Sequence, residues 1–236
     1  MSPTKTIAQR TTARTQSPPA AGEERQVVPD TTWDFYDRLT DALGEHSPFR
    51  VAFDGKDIEI MTVGNRHERI KTLMGQFFDL VVDELEVDCV ALGSTSWKRP
   101  ALERGIEADH SYVFDSAKIA LCRSDLVRDS NDLADCPNPD LAIEIDISPP
   151  KIDRPGIYAA LKVTEVWRRD EDGTITIECL GDDGQYIAVE SSRFLGVRPD
   201  EVKHWLTIGA STERAEWRHR LKEWIATELK PRVGPA

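Results

Sequence analysis

Strict alternation of apolar and polar residues predicts a half-buried strand, because successive side chains point to opposite faces. The stretch PDLAIEIDIS, residues 139–148, shows it best: Leu141, Ile143, Ile145 and Ile147 share one face, and Asp140, Glu144, Asp146 and Ser148 share the other. A different rhythm runs through RHERIKTLMGQFFDLVVDELEV. There Ile70, Leu73, Met74, Phe77, Phe78, Val81, Val82 and Leu85 recur at helical spacing, which predicts a helix packed on a core. Before it, TWDFYDRLTDAL reads as a short amphipathic helix, and FRVAFDGKDIEIM as a hairpin turning at Asp54–Gly55. After it, VDCVALGSTSWK and RGIEADHSYVF read as two strands, and SAKIALCRSDLVRDSNDLADCPN as loop with room for a short helix. DRPGIYAALKV suggests a short helix with Pro155 in its first turn, TEVWRRD a strand, and GTITIECLGDDGQYIAVE a second hairpin. A C-terminal amphipathic helix carries Trp217, Leu221, Trp224 and Ile225 on one face. The order predicts an α/β (α+β) domain around one sheet, without the regular alternation of a doubly wound fold.

Composition narrows the picture. The chain has 236 residues, 39% hydrophobic and 31% charged, which suits one globular domain with an extension. Residues 1–30, rich in Thr, Ser, Pro, Ala and Arg, read as a disordered tail too poor in large apolar groups to offset its ordering entropy. A net charge of -12 argues against an indiscriminate nucleic-acid binder but leaves room for a local basic groove. Cys89, Cys122, Cys136 and Cys179 form no CxxC pair and read as free thiols of a reducing cytoplasm. No apolar run reaches the roughly 18–20 residues of a membrane span, and no signal-peptide core is evident.

The candidate chemistry lies in carboxylates. Three of them on one strand face repel unless positive charge sits among them. In GIEADHSYVF, Glu107, Asp109 and Ser111 alternate in the same way. If the two strands are neighbours, Asp109 and Glu144 converge into an oxygen-rich site suited to Mg²⁺ or Mn²⁺. The plainer alternative is the wet face of an antiparallel sheet. His67 reads as a helix cap or a site residue, Lys98 and Arg99 as a surface turn or phosphate contacts, and Asp140 as a turn residue opening the strand. Trp97, Trp167 and Tyr158 read as packing aromatics.

GKDIEIM, HERI, GSTSWKR, LERGIEADHSYVF, PDLAIEIDIS and IYAALKVTEVWRRD, in that order between about Trp33 and Glu190, resemble the Uma-two family of the PD-(D/E)XK nuclease superfamily. The resemblance implies a restriction-endonuclease-like mixed sheet flanked by helices over residues 31–195, with 196–236 as a helical extension. It places the metal-holding PD aspartate at Asp109, behind Ala108 where proline is usual, and the second acidic residue at Glu144. Asp146 stands where the wider superfamily has lysine. Glu68 falls where many of these nucleases carry a further acidic ligand. The family's lysine, four residues before Tyr158, is Arg154 here; arginine stays protonated and offers a planar fork instead of a compact ammonium, and Lys151 or Lys98 could substitute. The implied activity is Mg²⁺-dependent (or Mn²⁺-dependent) endonucleolytic cleavage of DNA by a cytoplasmic homodimer, with Asp109, Glu144, Asp146 and Arg154 catalytic. Two alternatives stay open: an inactive nuclease-fold binding or regulatory module, and a carboxylate-pair glycosidase.

Overall fold

The computed structural model describes residues 23–44, 47–128 and 136–234. Two sheets organise them. The first is antiparallel, in the order β1 (Glu24–Val28), β3 (Ile58–Thr62), β2 (Phe49–Phe53), β6 (Arg104–Glu107), β5 (Ser96–Arg99). The second runs β11 (Tyr186–Ala188), β10 (Ile175–Leu180), β9 (Glu165–Arg169), β8 (Leu141–Ile145), β7 (His110–Val113), β4 (Val90–Ala91), and only β8 and β9 are parallel. The expected hairpin is β2–β3, and the expected mixed sheet is the second one. The single sheet is corrected to two, because the chain leaves β6 at Glu107 and joins the other sheet at His110, so GIEADHSYVF is two strands rather than one.

The tail expectation is corrected too: Glu24–Val28 pairs along its whole length with Ile58–Thr62. Residues 1–22 lie outside the described part. The segment read as loop with room for a short helix contains a helix of 13 residues, α3 (Ser116–Arg128), the third in chain order after α1 (Trp33–Leu43) and α2 (Asn65–Leu85).

α2 follows its apolar rhythm. Met74, Phe77, Phe78, Val81 and Leu85 pack on Leu141, Ile143 and Ile145, the apolar face of β8. Gly75 lets the helix approach β7: a Cβ there would lie 2.8 Å from the His110 ring. The helical extension shares this core through Val202, Trp205 and Leu206 of α5 (Pro199–Ser211) and Trp217 and Leu221 of α6 (Arg214–Trp224); α5 was absent from the sequence expectation. The opposite face of β8 is covered by α4 (Arg154–Ala160), whose Ile157 and Tyr158 pack with Ala108 and Ala142. α4 forms the crossover between parallel β8 and β9, which needs an intervening helix. All five β8 residues are therefore buried, and the polar face expected to be wet is enclosed.

Candidate active site

The site lies at the seam between the sheets. His110 pairs with Ile143 and Ser111 with Ala142, and the Asp109 N–H donates to the Ile143 carbonyl at 3.1 Å. Carried one step further, this register sets Asp109 beside Glu144, on the face that Ala142 and Asp146 share by strand alternation. Asp109 Oδ2 accepts from the Ile145 N–H at 2.7 Å, and lies 3.2 Å from Nε2 of His67, in the first turn of α2. Asp109, His67 and Glu144 are all buried.

Burial alone would raise the Asp109 carboxyl, but His67, the Ile145 N–H and Arg154 together hold it below its ordinary value. Burial would lower His67, yet the hydrogen bond and charge of Asp109, aided by Glu23 and Glu68, leave it raised. Opposite charges in contact stabilise each other's ionised forms, so each of the two favours the charged state of the other. Glu144 differs. Burial, opposed by Arg154 and reinforced by the charges of Asp109 and Asp146, pushes it up to about 7. Its Oε1 accepts from Arg154 Nη2 at 3.1 Å and from the Tyr158 hydroxyl.

Local sequence explains how Arg154 gets there. Asp153 caps α4 by accepting from the Gly156 N–H at 3.0 Å, and Pro155 pre-sets the first turn. That turn aims Arg154 at Glu144 of β8, with Nη1 3.8 Å from both Glu59 of β3 and Asp146 just past β8.

A second arginine completes the cluster. Arg25 of β1 donates to Glu59 Oε1 and Asp146 Oδ1, both at 2.7 Å, and lies 2.9 Å from Glu23. Glu23 also accepts from the Ser148 N–H and hydroxyl. Arg25 and Arg154 thus supply the positive charge that the alternating carboxylates demanded. Burial still raises Asp146 against both arginines.

Of the expected residues, Asp109, Glu144, Asp146 and Arg154 are brought together. Glu68 joins from α2: Oε1 stands 3.5 Å from His67 Nδ1 and 3.9 Å from Arg50, and Oε2 is 3.8 Å from Lys71. Glu107, expected on Asp109's face, instead pairs with Arg50 in the first sheet. Lys98 is tied to Asp37 and Asp41 of α1, and Lys151 donates to the Arg25 carbonyl at 2.6 Å. Arg99 holds Asn138 and the Cys136 carbonyl. Asp140 accepts from the Phe114 and Asp115 N–H groups, a loop-fixing role.

Sequence reasoning missed Arg25, Glu59, Lys71 and Arg168, which sits opposite Glu144 on β9, and took Tyr158 for packing alone. Glu59 alternates in DIEIM like Glu144, and Lys71 follows Glu68 at i+3, so both had a signal. Arg25 had none, because its role depends on a partner 121 residues away.

No group of three or more His, Cys, Asp or Glu among the described residues is gathered closely enough to hold a metal as it stands. The donor chemistry nonetheless fits a hard divalent cation: Asp109 and Glu144 are adjacent carboxylates, and Glu68 Oε1, beside them through His67, is buried with no hydrogen-bond partner. No helix among the described residues is long and apolar enough to cross a membrane.

Residues 33–207 match the Uma2 family, described as "Putative restriction endonuclease". No curated protein matches the chain. The crystal structure of a "putative nuclease belonging to DUF820" from Anabaena variabilis is similar at 16% identity, with a TM-score of 0.47, over 75% of this chain and 99% of that one. With most of its length matched, from the first helix to the end of the α5 core contacts, the chain belongs to the Uma2 family.

Proposed function

We propose that this chain hydrolyses DNA phosphodiester bonds at Asp109 and Glu144, with Mg²⁺ or Mn²⁺ held by these two and Glu68. The observation that carries the reading is the buried Asp109–Glu144 pair on neighbouring strands, in a chain of a restriction-endonuclease family. A bound divalent cation supplies Lewis acidity, polarising a phosphoryl oxygen and acidifying water. The protein's own part is charge placement. Ile145 N–H and His67 fix Asp109 in its ionised form and orientation. Tyr158 and Arg154 orient Glu144, and its raised pKa leaves that carboxyl able to hold or release a proton near neutrality. Arg154 is the permanent cation at the pair, suited to negative charge building up on a phosphoryl group. Asp146 holds Arg25 and lies next to Arg154, a positioning role. The working form in this reading is a cytoplasmic homodimer, checked by its mass in solution.

Plasmid nicking with Mg²⁺ or Mn²⁺, alongside calorimetric titration of each metal, tests it. Asp109→Ala and Glu144→Ala should each abolish nicking and weaken metal binding; full nicking by Asp109→Ala would show the assignment wrong. One observation favours the inactive-module alternative: Arg154 contacts Glu144 directly where the family resemblance leads one to expect lysine. Wild-type metal binding without nicking, unrestored by Arg154→Lys, would select it.

A further inference from the structure

A groove of about 840 Å³ runs along α2 and past the end of α5, with Arg66, Arg69, Ile70 and Leu73 in its lining. A second hollow of about 280 Å³ continues it: Ile70, Leu73 and Ala210 line both, and Arg169 and Lys203 stand on its far side. We propose that this continuous groove is the docking track for the phosphate backbone of DNA, an inference that rests on the nuclease reading and names how its substrate reaches the site.

Charge carries the argument. Arg66, Arg69 and Lys203 are exposed and Arg169 is half-buried. None of the four has a carboxylate within 4.0 Å among the described residues. The site's own arginines behave oppositely: Arg25, Arg50, Arg154 and Arg168 each sit on a carboxylate. Arg66 Nη2 donates to the Glu171 carbonyl at 3.3 Å, which holds it over the β9–β10 turn. There burial lowers Arg169, with the charge of Arg66 adding to it and that of Asp170 opposing it. In a chain of net charge -12, four unpaired cations gathered on one groove are a local field of the opposite sign, complementary to a polyanion.

The groove also has the right ends and floor. Ile70 and Leu73 form an apolar strip between the cations, suited to sugar carbons between phosphates. The carboxylates in the lining are Glu68 and Asp172, and Glu68 is faced by Arg50 and Lys71. Glu68 is also the link inward, through His67 to Asp109. The helix begins here at Asn65, behind an N-cap Gly64 that offers no side-chain cap, so first-turn N–H groups add to the positive end. A backbone lying along the four cations passes Glu68, the groove residue that reaches Asp109 through His67.

The test is binding of a fluorescein-labelled DNA duplex to the full chain in chelator, read by anisotropy across a salt series. Arg66→Ala, Arg69→Ala and Arg169→Ala should each weaken binding and flatten log affinity against log salt by about 0.9 per phosphate contact removed. Arg38→Ala, at an exposed pair on α1, should change neither, and thermal melts confirm folding of every variant. Unchanged slopes in the groove variants, equal loss in Arg38→Ala, or no DNA binding by the wild type would overturn the track. Tighter binding of an RNA duplex with the same slope losses would overturn DNA as the occupant. Groove variants that bind normally while Asp109→Ala loses nicking would sink the track and leave the nuclease reading standing. Groove variants that lose binding while Asp109→Ala still nicks would do the reverse.

Discussion

Glu144→Gln should make this protein more stable above neutral pH. The Glu144 carboxyl has an ordinary value of 4.5 and is pushed to about 7 in the fold, first by burial and then by the charges of Asp109 and Asp146, against Arg154. Between those values the folded state holds a proton that the unfolded chain has released. Stability therefore falls as pH rises through that window, and the deficit is complete above the folded value. At about 1.4 kcal/mol per pH unit, the interval is worth roughly 3 kcal/mol. Glutamine matches the protonated acid in shape and cannot ionise, so wild type and variant should be nearly equal at pH 4. By pH 8 the variant should lead by roughly 3 kcal/mol, or roughly 6–12 °C in Tm for a domain this size. Urea unfolding at both pH values, in chelator, measures it. Equal stabilities at pH 8, or a variant weaker at both pH values, would refute the reasoning and show that Arg154 fully compensates the buried charge.

Three further outcomes follow from contacts elsewhere. Arg25→Met strips the cation from Glu23, Glu59 and Asp146 and should cost about 3–5 kcal/mol, the range for breaking a buried pair from one side; a loss under about 1 kcal/mol in urea unfolding would mean β1 is not anchored by it. Glu201, whose carboxyl is held low against burial by Arg232 and the Arg198 N–H, stabilises the protein above pH 4.5, and that contribution fades as pH falls through its folded value. Glu201→Gln should accordingly lose about 1.5–3 kcal/mol at pH 7, with the gap from wild type closing in acid melts. Gly105→Ala would put a Cβ 2.2 Å from the buried Tyr36 hydroxyl and 2.3–2.4 Å from its ring, so a loss of at least about 1–3 kcal/mol is expected; an unchanged Tm would show that α1 shifts freely.

What the sequence determined by itself is whatever depends on near neighbours. The spacing of Met74, Phe77, Phe78 and Val81 makes an amphipathic helix whatever it packs on, and Asp54–Gly55 makes a hairpin turn from local dihedral preferences alone. Alternation likewise set Glu144 of β8 and Asp146 just past it on one face, and the ordered motifs around them carried the family. Only the tertiary structure decided what lay opposite that face. Alternation reports two faces but not whether water or α4 covers the polar one, and here α4 and β1 enclose it. The break at Asp109, which sends Glu107 to the first sheet, comes from pairing with Arg50 and Gly105's neighbours on distant strands, and no period-two pattern records it. Arg25 is the extreme case. Its segment is polar enough to read as a solvated tail, but backbone pairing with β3 and two carboxylates from distant segments, Glu59 and Asp146, order it. Charges that far apart in sequence interact only once the fold has closed the distance and excluded the water between them.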